Sequence, residues 1–284
     1  MHKIHVLVIF ICLAISAKAG NENYTLGARQ AGMGGCGLTL RDAWGTQHNQ
    51  ANLAFIDNYT FGAYYENKFL LKETALKSFT GALPLGNAGT FGLVGTQFGS
   101  VNYNQLKVGL GYGRKIAENF SAGIQLNYNS LRLGDIYGSK NSFTAEFGIN
   151  ARLIEKLTFG AHIYNVSRTL LTKENNEFIP TVIRLGLEYK FSQAVFALIE
   201  TESTINQQTN LKFGLEYNLK QQFYLRTGIN TNPFLASFGF GYNYKAVYID
   251  IAAAYHQVLG FTPALSFHLK LGKEKEKAPS EPAN

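Results

Sequence analysis

Gly32, Gly34 and Gly37 form a Gly-x-Gly-x-x-Gly run, and Asp57 follows it at the spacing of about 20 residues that a dinucleotide site uses for its pyrophosphate and ribose. That chemistry requires a strand before the glycines and a helix after them. Neither pattern flanks this run, so no cofactor is expected. The glycines read instead as backbone that folds tightly and lies close to a wall. His48, His162, His256 and His268 show no metal-ligand spacing, and no metal is expected. Ser266 with His268 or His256 would supply the nucleophile and base of an acyl hydrolase. Nothing in the sequence marks a strained nucleophile turn or an orienting acid. No catalytic residue is assigned, and the protein is not expected to be an enzyme. Cys36 reads as a small packed residue.

The elements that would position these residues begin after a leader. In residues 1–19, His2 and Lys3 precede an apolar run too short to span a membrane as a helix, and Ala17-Lys18-Ala19 offers a small-x-small cleavage pattern. Cys12 lies within that run, but Ile11 before it is not the small residue of a lipoprotein site. Loss of the two leader lysines takes the formal charge from +7 to +5. Cys36 is then alone, so no intrachain disulfide can form. The basic residues are scattered along the chain, and a nucleic-acid partner is not expected.

From residue 59 onward the apolar period is two. In 142–153, Phe143, Ala145, Phe147, Ile149 and Ala151 alternate with Thr144, Glu146, Gly148, Asn150 and Arg152. About fourteen such segments follow one another, each about ten residues long, which is the length a tilted strand needs to cross a bilayer. They begin near Thr60, Leu76, Gly89, Asn104, Phe120, Ser142, Leu157, Thr181, Gln193, Thr209, Gln222, Ala236, Ala246 and Phe261. Their connections read as alternately tight and long. The glycine and aromatic excess (29 Gly, 16 Tyr, 21 Phe) with 16% charged residues fits a barrel facing lipid better than a soluble β-sandwich or lipocalin-like barrel. The expected fold is all-β: a transmembrane antiparallel barrel of about 14 strands over 59–272. Residues 20–58 would form an N-terminal plug or hatch, and 273–284 a disordered, charged periplasmic tail.

Within the plug, Gly27-Ala28-Arg29, Gly32-Met33-Gly34-Gly35 and Asn49-x-Ala51-x-Leu53-Ala54 resemble the N-terminal signature of FadL-like outer-membrane barrels. The likeness is closest to the PorV/PorQ branch of Bacteroidota, which reads G-A-R-x-x-G-M-G-G and then N-P-A-x-L-A. Gln50 stands in place of the usual proline. The resemblance implies an outer-membrane protein of a Gram-negative bacterium with both termini in the periplasm. It leaves two functions open. The leading expectation is an accessory or structural subunit of an outer-membrane assembly linked to type IX secretion, with other outer-membrane or periplasmic proteins as partners. The alternative is a FadL-like channel for hydrophobic small molecules such as fatty acids.

A charge facing lipid at mid-membrane costs about 2–4 kcal/mol. Glu146, Arg152, Arg184, Glu188, Lys190, Lys212, Glu216, Arg226 and Asp250, on the polar phase of their segments, are therefore expected to line the lumen. Their mixed signs predict an ion-paired interior, with Arg29, Arg41 and Asp42 of the plug facing wall carboxylates. Tyr64, Tyr65, Tyr112, Tyr128, Tyr189, Tyr217, Tyr242, Tyr244 and Tyr255 are expected in interfacial girdles against outer-membrane lipid.

Overall fold

A computed structural model describes residues 23–134, 138–172, 177–205 and 207–272. The leader and the charged tail expected from the sequence lie outside the described residues. The strands are β1 (Tyr59–Asn67), β2 (Ala75–Pro84), β3 (Thr90–Gly99), β4 (Tyr103–Ala117), β5 (Phe120–Leu133), β6 (Ser139–Ile154) and β7 (Leu157–Tyr164). A small β8 (Leu170–Thr172) and β9 (Glu177–Phe178) come next. They are followed by β10 (Val182–Lys190), β11 (Val195–Thr204), β12 (Asn210–Leu219), β13 (Phe223–Thr231), β14 (Phe234–Tyr244), β15 (Val247–His256) and β16 (Gly260–Leu271).

Fourteen of these strands form one closed antiparallel barrel, and β8 and β9 pair only with each other outside it. The first strand closes on the last, with Tyr59 opposite Leu271 and Glu66 opposite Ala264. Closure leaves no free edge, the condition under which strands can cross a bilayer. Among the described residues, the barrel registers shift only near Lys115/Ala117 and Arg152/Ile154. Each barrel strand begins within three residues of its sequence expectation, because a period of two is a direct readout of strand geometry.

Burial shows which solvent the outer face meets. On β12 the apolar residues Leu211, Phe213, Leu215 and Tyr217 are 38–43% exposed, while Lys212 and Glu216 are at 4% and 2%. A water-soluble barrel has the opposite phase. Polar-in and apolar-out is the arrangement of an outer-membrane barrel.

Six tight connections gather at one end with the start of β1 and the finish of β16; we call this the turn end. The other, the loop end, departs from the expected long connections in three places. Residues 100–102, 232–233 and 257–259 are themselves short, because β3, β4, β14 and their neighbours extend further than the apolar pattern indicates. Tyr64 is also corrected. It is 3% exposed and faces the lumen, donating to Glu66 Oε2 at 2.5 Å. Adjacent strand residues point to opposite faces, so only Tyr65 of that pair can reach lipid.

Residues 23–58 fill the barrel. The segment is built from two one-turn helices, Ala28–Ala31 and Gly45–His48, and a 3-10 turn, Gln50–Phe55. Asn49 caps that turn by accepting from Ala51 N at 3.1 Å. The core of the molecule is the interface between this segment and the wall, where Leu26, Met33, Leu38, Trp44 and Leu53 are essentially inaccessible.

Candidate functional site

The wall makes room for the segment with glycine. Ten strands place an inward glycine against it: Gly62, Gly92, Gly113, Gly123, Gly148, Gly160, Gly186, Gly214, Gly228 and Gly239. A methyl group on Gly228 would lie 2.2 Å from Gly34 N, and one on Gly239 3.1 Å from Gly32 Cα. Gly34 itself has φ of +69° and no space for a side chain beside the Ile229 carbonyl, a position only glycine occupies without strain. The wall glycines were not singled out from the sequence. Their signal is a glycine on the polar phase between two large apolar residues, as in Leu185-Gly186-Leu187 and Phe213-Gly214-Leu215.

Two charged networks hold the segment. In the first, Arg29 grips Glu216 with Nε and Nη2 (2.8 and 2.9 Å) and reaches Asp42 with Nη1 (3.2 Å). Arg226 donates to the same Glu216 at 2.6 Å and to Asp250 at 2.6 Å. In the second, Glu146 accepts from Lys107 (3.0 Å), Asn127 (2.8 Å) and Gln50 (2.8 Å). His162 Nε2 lies 2.8 Å from the same carboxylate, and Arg184 Nη2 lies 2.9 Å from His162 Nδ1. An arginine only donates, so His162 accepts at Nδ1 and gives its Nε2 proton to Glu146. Gln50, standing where the resembling signature has proline, is thus a wall contact. Glu200 accepts from the backbone N–H groups of Gly37 and Leu38, each at 2.7 Å.

The remaining sequence candidates fall as follows. Gly27, Ala28, Gly32, Met33, Gly34, Asn49, Ala51 and Leu53 are buried inside the barrel, and Arg29, Gly35 and Ala54 half-buried. Glu146, Arg184, Glu188, Lys212, Glu216, Arg226 and Asp250 are buried on the inner face. Arg152 departs from the expected lumen lining. It keeps the inward phase of β6 but sits near the strand's turn-end terminus, where the barrel mouth exposes it. Lys190 is likewise exposed, 3.6 Å from Glu188. Arg41 does not join a carboxylate; its guanidinium lies over the Phe55 ring at 3.8 Å. Asp42 serves the segment itself, accepting from Gln30, Trp44 N and Arg29.

The groups that raised other chemistry are engaged in packing. Ser266 accepts from Ala28 N at 3.1 Å, His268 stacks on Tyr248 with centroids 4.4 Å apart, and His256 accepts from Val258 N and Leu259 N in a loop-end turn. Burial, then the Arg184 guanidinium, pulls the His48 imidazole down to about 3. It is therefore neutral while it bonds Leu26 O at 2.8 Å. Burial, reinforced by Glu200, pushes the Cys36 thiol up, away from the reactive thiolate. Gly37 of the glycine run packs on the His48 ring.

Above the segment, at the loop end, a cavity of about 980 Å³ opens. Its floor is formed by Tyr24, Thr25, Ala31, Gly34 and Gly35. Part of its wall is apolar, with Phe69, Phe178, Ile179, Val182, Ile205 and Leu235. Two of its charges are already matched, since Lys212 donates to Glu202 at 2.8 Å.

No protein-family model and no curated protein matches the chain in sequence. Solved structures share its fold. The toluene transporter TbuX of Ralstonia pickettii superposes with a TM-score of 0.66 at 11% identity, over 87% of this chain and 98% of its own. The CymD monoaromatic hydrocarbon channel gives 0.65 at 13%, over 87% and 98%. A Pseudomonas aeruginosa FadL homologue gives 0.60 at 14%, over 89% and 99%. The fold is that of FadL-like outer-membrane barrels. These likenesses overturn the leading functional expectation, an accessory subunit linked to type IX secretion: structures that share the fold over 87% of this chain are a hydrocarbon channel and a toluene transporter. The finer resemblance to the PorV/PorQ branch gains no support from them.

Proposed function

We propose that this protein is a FadL-like outer-membrane channel that admits small hydrophobic molecules, with residues 23–58 as its internal plug. The observation that carries this reading is the cavity of about 980 Å³, open at the loop end, partly apolar and floored by the plug. It has the size and character of a small-molecule site. The loop end would face outward and the turn end the periplasm, with both chain termini on the periplasmic side. The lumen charges Glu216, Arg226, Glu146 and Arg184 would anchor the plug, and the motif from Gly27 to Ala54 would fit it to the wall. The protein would work without catalysis, as the transport channels that share its fold do.

Accumulation of radiolabelled toluene by a Gram-negative host that lacks such channels tests the reading. Expression of the full chain should raise the initial rate several-fold. An unchanged rate would overturn it, provided the barrel is present and folded in the outer membrane, as shown by its shift on a gel when the sample is heated.

A further inference from the structure

The plug does not meet the wall in the same way all round. Its hydrogen bonds to charged wall side chains run to Glu146, Glu200 and Glu216, and, through Gln47, to Lys107 and Arg184, on β6, β11, β12, β4 and β10. Toward β16, β1, β2 and β3 the contact changes character. Leu26, Ala28 and Trp44 of the plug pack on Tyr64, Leu76 and Val94 of the wall. Nearer the turn end the apolar line resumes with Leu53, Ile56 and Ala82. Between these clusters lie neutral hydroxyl contacts, with Thr80 donating to Ala43 O at 2.9 Å and lying 2.9 Å from Thr46 Oγ1. At the loop end the same line begins at Tyr24, which is stacked on Phe98 and forms part of the cavity floor.

One polar atom in this apolar line is unsatisfied. Trp44 is 1% exposed, and its Nε1–H is buried with no hydrogen-bond partner among the described residues. Buried donors are normally paired, and the indole here packs edge to face on Tyr64 with centroids 5.8 Å apart; a guest that supplies a π face or an oxygen would suit such a donor. Opposite the indole the wall has Gly62, where a methyl group would sit 3.3 Å from Trp44 Cζ2 and 3.0 Å from Thr80 Cγ2.

We infer that hydrophobic molecules cross the barrel along this seam, between the plug and β16-β1-β2-β3, past Trp44 and Gly62, to the turn end, while the charged side of the plug stays anchored. This rests on the uptake reading above and assigns its route. A neutral apolar guest replaces the contacts that the seam loses as it parts, so little burial is forfeited. Parting the opposite side would strip buried charges of their partners, which is far more costly. The registers β16–β1, β1–β2 and β2–β3 run unbroken, so the wall stays closed and the path lies inside it.

The test compares toluene uptake by cells carrying the wild type, Gly62→Leu, Ala82→Phe and Trp44→Ala, each checked for a folded, heat-shifted band. Gly62→Leu and Ala82→Phe fill the seam at two heights and should each lower uptake at least tenfold, whereas Trp44→Ala should raise it. If only one filling variant folds, that one is read. Photolabelling of the folded wild type with a neutral aryl diazirine gives a readout independent of the variants. Label should appear on the peptide holding Trp44 and Leu53, and not on that holding Met33 and Cys36. Wild-type uptake that survives in a folded filling variant, or label confined to the charged side, would overturn the seam and leave the uptake reading intact. A wild type that takes up no toluene would overturn both.

Discussion

At the scale of single residues, the decisive group is Glu216, which one plug arginine and one wall arginine share. Its side chain is 3% exposed, as is that of Arg226. Removing one member of a buried pair leaves uncompensated charge and costs about 3–5 kcal/mol. Glu216→Gln should therefore loosen the plug: residues 23–58 become accessible to protease, and the folded gel band is lost at a lower temperature. Protease resistance equal to that of the wild type would show that the network does not anchor the plug. The sequence exposed half of this arrangement. Lys212, Glu216, Arg226 and Asp250 all fall on the polar phase, so their direction followed from a period of two. Their partners did not. Arg29 and Glu216 are 187 positions apart, and Arg41 lies over the Phe55 ring, a contact within the plug that strand phase could not foretell. Arg152 fails for a related reason: phase shows which way a side chain points but not how near it stands to the mouth.

Among the elements, strands were legible and their fit to the plug was not. Alternation over about ten residues marked every barrel strand, because a lipid face must be continuously apolar whatever else the strand does. The plug has one-turn helices and no period, and its shape depends on the wall around it. The inward glycines carry that fit. In Gly228→Ala the added methyl would meet Gly34 N and Met33 C at 2.2 Å each. Backbone cannot swing aside as a side-chain tip does, so the plug must shift in that variant. Protease should then cut within 27–38 in the folded barrel. By contrast Gly81→Ala, on the lipid side, has its nearest neighbour at 3.6 Å on the Phe61 ring, and should protect the plug as the wild type does. Equal protection in both variants would refute the glycine fit.

For the whole molecule, the phase of burial separates a membrane barrel from a soluble one, and it can be tested by moving one charge. Leu215 is 40% exposed on the outer face beside Glu216 at 2%. Leu215→Lys should cost about 2–4 kcal/mol if it lies near the bilayer midplane, read as a lower urea midpoint for unfolding from lipid vesicles. An unchanged midpoint would mean that this face does not meet lipid. The fold class was legible because strand length and phase leave local marks, and closure follows from their number and from the need to leave no free edge in lipid. The transport reading stood in the sequence only as the alternative that the plug motif's resemblance implies, because the cavity that favours it is assembled from residues far apart in the chain. Closure of β1 on β16 also has a consequence for assembly. The plug directly precedes the first strand, and the last strand to be made seals the wall beside it. Pairing of such distant segments is slow, whereas residues 23–58 are joined directly to β1. A plug that gathers against β1 and its neighbours before β16 pairs is enclosed by closure and never has to enter a finished ring.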